Sequence, residues 1–272
     1  MMKITVLVEN TAQENLKCEH GLSVFIEFQG KEYLLDAGTT DLFLENAKSL
    51  GVSLANVKTC ILSHGHYDHS GGFFRFFEEN EKARLYAMKG ADGEYYSTKG
   101  ELHEIGIPKK LTQMHSEKFV FVDCVTELDT EVYLIPHSSE GLKMIGARAG
   151  LYKKINEELC PDDFSHELSL VFDTKQGLVV FNSCSHGGLK NILTEVGAVF
   201  PDKNIYAFIG GLHMKGGNFT KEEICEIVYY TKELGVKYIY TGHCTGESAF
   251  AVLKEAGGDM IQALTSGMVI NI

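Results

Sequence analysis

The stretch SHGHYDHSGG, residues 63–72, decides how the rest of the chain is interpreted. It follows an apolar run and places four residues of metal-ligand type within six positions. Imidazole and carboxylate groups suit zinc, iron or manganese. His64 and His66 alternate and can point to one side of an extended turn, so that Asp68 and His69 can serve a neighbouring ion. The spacing therefore predicts two divalent ions, which in such centres lie ~3.5–4 Å apart.

Histidines recur where later apolar runs end. The runs IYAFIGGLHM and KYIYTGHC reach His213 and His243, and the run GLVVFNSCSH ends in a polar stretch that includes Cys184 and His186. These runs are rich in β-branched and aromatic residues, which predicts strands. A rigid sheet aims the side chains at its strand ends, where sheet-based enzymes place their chemistry. The strand ends are therefore candidate positions for further contacts with metal or substrate.

The remaining pattern predicts an α/β protein with one domain over residues 1–272. Short strands precede helices in both halves, and DLFLENAKSLGV and TKEEICEIVYYTKELGV have the apolar spacing of amphipathic helices. Only four prolines occur, and no Ser/Gly-rich linker divides the chain. Residues of about 89–118 and 138–165 show no clear period, and we interpret them as irregular loop insertions. Long loops in compact domains often serve as lids or binding loops.

Composition and charge limit the partners and the cellular location that the sequence predicts. The chain has 272 residues, a net charge of −12 and a sequence pI near 5.4, and no basic block is interleaved with aromatics. We therefore expect no nucleic-acid partner and no membrane partner, although a metal pair can still attract an anionic substrate. Seven cysteines without a CxxC pair, and an N-terminus without a signal-peptide pattern, predict reduced thiols and a cytoplasmic protein. Nothing in the sequence predicts an oligomeric state.

The HxHxDH pattern of residues 64–69 resembles the signature of the metallo-β-lactamase superfamily, and the order of elements is similar over nearly the whole chain. This resemblance implies an αββα sandwich, a four-layer fold with two mixed β sheets flanked by helices. It also implies that Asp36, in LLDAG, orients a ligand histidine, with turn capping as the alternative. His66, at the second signature position, is typical of the zinc hydrolase branches, whereas the flavin-linked di-iron branch usually carries Glu there.

The resemblance also implies later ligands. His243 matches the family's final histidine and is expected to join Asp68 and His69 on one ion. Cys184 aligns where the bridging aspartate usually lies, and His186 follows two residues later. We expect His186 to bind metal and Cys184 to be at most a weaker or conditional ligand, because a free cysteine is more often a small buried residue.

The family's third histidine would fall just before ELSLVF. The candidates there are Asp162, Asp163 and His166. Among these, we interpret Asp163 as a less certain metal ligand. His213 has three open roles, since it can bind metal, bind substrate or only cap a loop.

Five short motifs resemble one branch of the superfamily, which includes archaeal dihydropterin–ribofuranosylaminobenzene-phosphate synthases. The motifs are Val-Glu-Asn at 8–10, Glu-His-Gly-Leu-Ser at 19–23, Cys-Ser-His at 184–186, Gly-Gly-Leu-His at 210–213 and His-Cys-Thr-Gly at 243–246. By this resemblance, Glu9, Asn10, His20 and His213 are candidates to contact substrate. Hydrogen bonding within strand ends and turns is the alternative role for the first three.

The function that these patterns favour is a metal-dependent hydrolase acting on a small molecule. Its two-metal centre, with zinc expected and iron or manganese as alternatives, would activate water to cleave an ester or phosphoester bond, and Asp68 would be the catalytic residue. A phosphorylated small molecule is one kind of substrate that fits this function. The alternatives are a pterin-linked ribofuranosylaminobenzene-phosphate synthase-like transferase and a redox di-iron protein. A non-catalytic sensing domain is disfavoured by the intact signature.

Overall fold

The computed structural model describes all 272 residues, Met1–Ile272. Its strands are β1 Met2–Val8, β2 Ser23–Phe28, β3 Lys31–Leu35, β4 Thr59–Ile61, β5 Arg84–Met88, β6 Tyr95–Ser97, β7 His103–Glu104, β8 Phe119–Val122, β9 Thr126–Asp129, β10 Val132–Pro136, β11 Leu151–Ile155, β12 Glu158–Pro161, β13 Leu168–Thr174, β14 Gly177–Phe181, β15 Ile205–Ile209, β16 Tyr238–Thr241, β17 Ile261–Ala263 and β18 Val269–Asn271. Its helices are α1 Leu42–Ser49, α2 Tyr67–Ser70, α3 Phe73–Glu79, α4 Lys109–Met114, α5 Leu142–Ala149, α6 Leu189–Val199, α7 Lys221–Glu233 and α8 Glu247–Gly257.

The chain divides into two compact units. The first unit comprises Met1–Asp123, Gly150–Pro161 and Thr265–Ile272, and the second comprises Cys124–Ala149 and Asp162–Leu264. Neither unit is a single continuous stretch, which agrees with the lack of a linker in the sequence. The interpretation of the whole chain as one domain stays a prediction.

The first unit is built on a seven-stranded mixed sheet in the order β18-β1-β2-β3-β4-β5-β8. Strands β18 to β3 pair antiparallel, and β3, β4, β5 and β8 pair parallel. Phe43 of α1 and Phe73 and Phe76 of α3 are buried in its apolar cluster. Leu35 at the end of β3 pairs with Ile61 at the end of β4. This register makes the residues after both strands emerge at the same sheet edge.

The second unit is built on another seven-stranded mixed sheet, in the order β17-β16-β15-β14-β13-β10-β9. Strands β14 to β17 are parallel, and Phe181, Ile209 and Tyr240 lie in one row across their ends. Apolar residues of α6, α7 and α8 share one buried cluster with the sheet. The row of strand ends places the segments after β14, β15 and β16 side by side.

Both long helices expected from the sequence are confirmed. Helix α1 is followed by Gly51 with φ 69°, a left-handed position that suits glycine at a helix end. Helix α7 begins after Thr220, whose hydroxyl accepts the Glu223 N–H while the Glu223 carboxylate accepts the Thr220 N–H. This capping box satisfies two backbone donors that the first turn would leave without partners. None of the helices combines the length and apolar character needed to cross a lipid bilayer.

The two segments that we expected to be irregular contain regular structure. Residues 89–118 include β6, β7 and α4, and residues 138–165 include α5, β11 and β12. Strands β12, β11, β6 and β7 form a four-stranded antiparallel sheet in the first unit. The sequence conceals it because these strands are two to five residues long and β11 is half-exposed along most of its length. Such strands lack the apolar alternation that the sequence analysis depends on.

Candidate metal centre

The four signature residues of the first unit converge in the structure. His64 follows β4, His66 is in extended conformation just before α2, and Asp68 and His69 lie on α2. All four are buried. The ring centroid of His64 lies 4.5 Å from that of His66 and 4.3 Å from that of His69. The turn therefore brings together three imidazoles and one carboxylate.

Glycines let this turn pack closely against its neighbours. A Cβ atom on Gly65 would lie 2.2 Å from the carbonyl oxygen of Ala91, and one on Gly71 would lie 2.0 Å from that of Thr39. Both separations are far below any permitted contact. The glycines of the motif are thus needed for packing, independently of any ligand.

Asp36 orients two of the histidines. Its backbone is left-handed, with φ 57°, and it follows β3 at the sheet edge where the turn begins. One carboxylate oxygen accepts the Ser63 N–H at 2.8 Å, and the other accepts the Ser63 hydroxyl at 2.7 Å and lies 2.8 Å from Nδ1 of His69. The Ser63 oxygen in turn lies 2.8 Å from Nδ1 of His64. Since a carboxylate only accepts, both Nδ1 atoms carry a proton, which makes Nε2 the atom of each ring that would bind a metal ion.

The field at this face favours a positive charge. Nε2 of His69 lies 3.3 Å from a carboxylate oxygen of Asp68. Burial alone would lower the pKa of His69, but the charges of Asp68 and Asp36 and their hydrogen bonds outweigh it and raise that pKa to about 10. A divalent cation satisfies the same field as a proton, so this donor set fits a metal ion.

Of the residues expected to contact substrate, His20 lies beside Asp68, and Asn10 lies beside His20. Nε2 of His20 is 3.3 Å from a carboxylate oxygen of Asp68, and the His20 side chain is 52% exposed. Nδ2 of Asn10 lies 3.4 Å from Nδ1 of His20. The carboxylate of Glu9, by contrast, accepts both the N–H and the hydroxyl of Thr11 at 2.7 and 2.8 Å. Glu9 is thus engaged in closing a turn.

In the second unit, the strand ends bring together further ligand-type residues. The rings of His186 and His213 lie 4.2 Å apart, and ligand atoms of Cys184, His213 and Cys244 all lie within 4.8 Å of one another. His243 is buried at the end of β16. Three residues of these segments have left-handed backbones, with φ 52° at Ser185, 45° at His213 and 48° at His243. Such strain in non-glycine residues tends to cluster at functional sites.

Glu167 holds the segment that carries His186, a role that the sequence analysis missed. Its two carboxylate oxygens accept the N–H groups of His186 and Gly187 at 2.8 and 3.0 Å. The ring of Phe164 stacks on His186 with centroids 4.9 Å apart. Burial raises the pKa of Glu167, although the charge of His137 and the two N–H bonds oppose the shift. No local pattern signals this role, because the bonded residues are about twenty positions apart in sequence.

Cys244 was also missed. Burial would raise the pKa of its thiol, but a hydrogen bond with Cys184 and the proximity of His243 and His213 outweigh burial and hold that pKa well below its ordinary value. The N–H of His213 donates to the Cys244 sulfur at 3.3 Å. The sequence did indicate this residue, because Cys244 directly follows His243 in the motif of residues 243–246.

The remaining candidates before β13 have local partners. Asp162 and His166 are buried, with a carboxylate oxygen 3.0 Å from Nε2. Asp162 also accepts the Phe164 N–H at 2.9 Å. Asp163 is half-buried and accepts the Ser165 N–H at 3.2 Å, which is a turn-closing contact. The contact gives Asp163 a structural role, and its role as a metal ligand stays a prediction.

A carboxylate–imidazole–hydroxyl chain, whose imidazole and hydroxyl are buried, also lies in the second unit. Nδ1 of His137 is 2.6 Å from Glu195, and its Nε2 is 2.8 Å from the Ser169 hydroxyl. Glu195 also accepts the Ser138 N–H at 3.0 Å. Ser169 lies inside β13 and is fully buried, so no substrate can reach its oxygen. These hydrogen bonds therefore connect the end of β10 with β13 and α6.

Comparison with known proteins identifies the class. Residues 16–98 match the family model of the metallo-β-lactamase superfamily. The crystal structure of a metal-dependent hydrolase of the β-lactamase superfamily is similar over 100% of this chain and 99% of its own, with 32% identity and a TM-score of 0.86. The chain belongs to the metallo-β-lactamase superfamily. The predicted α/β fold class, with mixed sheets flanked by helices, is confirmed.

Two archaeal relatives are similar over nearly the whole chain. The 7,8-dihydropterin-6-methyl-4-(β-D-ribofuranosyl)-aminobenzene-5′-phosphate synthase of Methanocaldococcus jannaschii is 29% identical over 99% of this chain and 96% of the relative. An uncharacterized protein of the same organism is 27% identical over 93% of this chain and 94% of the relative. The resemblance to the synthase branch seen in the short motifs is thereby confirmed.

Proposed function

We propose that the protein is a metal-dependent hydrolase that cleaves an ester or phosphoester bond in a small molecule. The observation that carries this proposal is the bonding of Asp36, directly to His69 and through Ser63 to His64. It makes Nε2 the metal-binding atom of each histidine, and Nε2 of His69 lies 3.3 Å from a carboxylate oxygen of Asp68. A divalent ion bound there would take the place of the ring proton between the imidazole and the carboxylate.

The proposed metal content is two divalent ions per chain, with zinc favoured over iron or manganese. The proposed ligands of the first unit are His64, His66, Asp68 and His69. Those of the second unit are His186 and His243. A divalent ion held by such groups lowers the pKa of a coordinated water to roughly 7 and polarises a substrate oxygen.

Asp68 is the proposed catalytic residue. Its carboxylate oxygen can accept a proton from the attacking water. Nε2 of His20, 3.3 Å from that oxygen, can then take the proton. Because about half of the His20 side chain is exposed, it can release the proton to solvent or to a leaving group. Asn10, next to Nδ1 of His20, would orient the imidazole.

The test is an activity screen with defined metal content. The protein, stripped and reloaded with zinc, iron or manganese, is assayed against phosphodiesters, phosphomonoesters, thioesters and lactones. We expect metal-dependent hydrolysis of at least one class, its loss in Asp68→Ala, and no loss in His103→Ala, which removes an exposed histidine of β7. Hydrolysis that persists in the metal-free protein, or in Asp68→Ala, would contradict the proposal.

A second candidate is a synthase-like transferase. It is favoured by the 29% identity to the archaeal synthase over 99% of this chain. This activity would form a compound of the kind that the relative's name gives, a dihydropterin linked to a ribofuranosylaminobenzene phosphate. Mass spectrometry of the products distinguishes the candidates, because a transferase forms a joined compound and a hydrolase forms only cleavage products. Iron analysis with anaerobic absorbance tests the further alternative of a redox di-iron protein, which His66 disfavours.

The proposed partner is the substrate alone, and the proposed location is the cytoplasm. All seven cysteines are free, including Cys184 and Cys244, which lie close together. Persistent free thiols suit a reducing compartment. The net charge of −12 supports a small-molecule substrate over nucleic acid or an anionic membrane.

A further inference from the structure

A sulfur-rich cluster lies at the strand ends of the second unit. Cys184 follows β14, His213 follows β15 and Cys244 follows β16, and these three strands are adjacent and parallel. One ligand atom of each residue lies within 4.8 Å of the other two. Neighbouring ligand atoms around tetrahedral zinc are ~3.5–3.8 Å apart, as follows from Zn–S and Zn–N bonds of ~2.3 and ~2.0 Å. Small side-chain rotations would therefore suffice to bind an ion.

The backbone is shaped to admit the sulfur of Cys244. A Cβ atom on Gly211 would lie 2.4 Å from that sulfur, so a larger residue at this position would displace it. The His213 N–H donates to the same sulfur at 3.3 Å. Cys184 and Cys244 are only 3% and 7% exposed. The two sulfurs are thus fixed in a protected position rather than placed at random on a surface.

His213 supplies an independent observation. Both of its ring nitrogens are shielded from solvent, and the contact of its ring with the Cys244 sulfur lacks the geometry of a normal hydrogen bond. Buried side-chain nitrogens nearly always have a partner, so each exception requires a physical reason. The left-handed backbone of His213, with φ 45°, shows that the surrounding structure holds the residue in this place. An ion bound to one ring nitrogen would provide the missing partner.

We propose that Cys184, Cys244 and His213 form a thiolate–imidazole site for a soft or borderline divalent ion such as zinc. The site goes beyond the proposed hydrolase function and does not depend on it. Thiolates select softer ions than the imidazole and carboxylate ligands of the first unit do. The site also gives Cys184 a partner sulfur, which a lone cysteine replacing a bridging aspartate would not have.

Cobalt substitution tests the site directly. The full chain, kept reduced, is stripped of metal and titrated with Co²⁺, and the thiolate-to-cobalt charge-transfer absorption is recorded. We expect this absorption in the wild type, a decrease by about half in both Cys184→Ser and Cys244→Ser, and its loss in the double variant, because each Co–S bond contributes separately. Cys60→Ala, which removes a buried thiol of β4, is the matched control and should leave the absorption unchanged.

Three outcomes would overturn the proposal. They are the absence of any charge-transfer absorption, a loss caused by Cys184→Ser but not by Cys244→Ser, and full absorption in His213→Gln with unchanged cobalt affinity. Circular dichroism of each metal-free variant separates a folding defect from a binding defect. The charge-transfer signal reports sulfur coordination whether or not any hydrolysis is found, so failure of this proposal and failure of the proposed function remain distinguishable.

Discussion

In the first unit, four ligand-type residues lie within six positions on one turn, whereas in the second unit they come from the ends of three separate strands. The turn is oriented by one carboxylate, that of Asp36, which bonds to the Ser63 N–H and also to the side chains of Ser63 and His69. In the second unit, the carboxylate of Glu167 bonds to backbone N–H groups of the segment carrying His186. One unit therefore fixes the imidazole rings themselves, and the other fixes the chain that carries a ring.

This difference has a consequence for substitutions. Where ligands are close in sequence, losing one leaves the turn and its glycine packing in place. Where the positions of the ligands depend on strand register and on hydrogen bonds to the segment that carries them, metal affinity also depends on residues that never touch the ion.

Removing a signature ligand should have the largest effect. We expect His64→Ala, His66→Ala and Asp68→Ala each to lower the rate of hydrolysis by ~10³-fold or more, because both metal affinity and proton transfer are lost. The fold should persist, since these substitutions remove little apolar burial. Steady-state kinetics and thermal unfolding measure the two effects. An Asp68→Ala enzyme with near wild-type activity would contradict the role of that carboxylate.

The second unit should show its effect in metal content. Protein purified without chelator should contain close to two ions of the proposed centre per chain. We expect His186→Ala to lose at least one ion of this centre and Cys184→Ser to keep most of the metal, losing only the ion of the proposed thiolate–imidazole site, because imidazole is the more usual ligand of the two-metal centre. Elemental analysis of the purified variants measures this. Reproducible absence of transition metal after reconstitution, or no loss in His186→Ala, would exclude this assignment.

The supporting carboxylates should have smaller effects, and unequal ones. Asp36→Asn should weaken metal binding by ~10–100-fold, the usual effect of losing a residue that orients a ligand histidine. Glu167→Gln should weaken it less, since Gln can still accept one of the two N–H bonds and the Phe164 ring still stacks on His186. Competition titrations with a chelator give both affinities. Equal losses of metal affinity in the two variants would contradict the proposed difference between orienting an imidazole ring and positioning the backbone segment that carries one.

The same distinction explains what the sequence could predict. The signature turn and the capped helix α7 are local patterns, so spacing alone located them. The roles of Glu167 and Cys244 depend on partners about twenty and sixty residues away, and those contacts exist only once the strand register is set. Strands β6, β7, β11 and β12 escaped detection because short, half-exposed strands have little apolar alternation. The resemblance to the superfamily supplied the order of elements that local patterns could not.

The smallest effect concerns stability, at the carboxylate–imidazole–hydroxyl chain of the second unit. Burial would raise the pKa of Glu195, but hydrogen bonds from His137, Ser138 and Ser139 outweigh it and hold that pKa below its ordinary value. Glu195→Gln should therefore cost about 1–2 kcal/mol of unfolding free energy at neutral pH, the low end for hydrogen bonds to a charged group that is partly exposed. The control is Glu226→Gln, on the exposed face of α7.

The pH dependence gives the Glu195 prediction its sign. A carboxylate whose pKa is lower in the folded than in the unfolded state stabilises the fold above the unfolded pKa of ~4.3, and this contribution is lost as pH falls through the folded pKa. The gap in stability between wild type and Glu195→Gln should thus be full at neutral pH and shrink on acidification. Urea unfolding across the acidic range measures it. A gap that stays constant with pH would mean that the side chain contributes through packing and not through its charge.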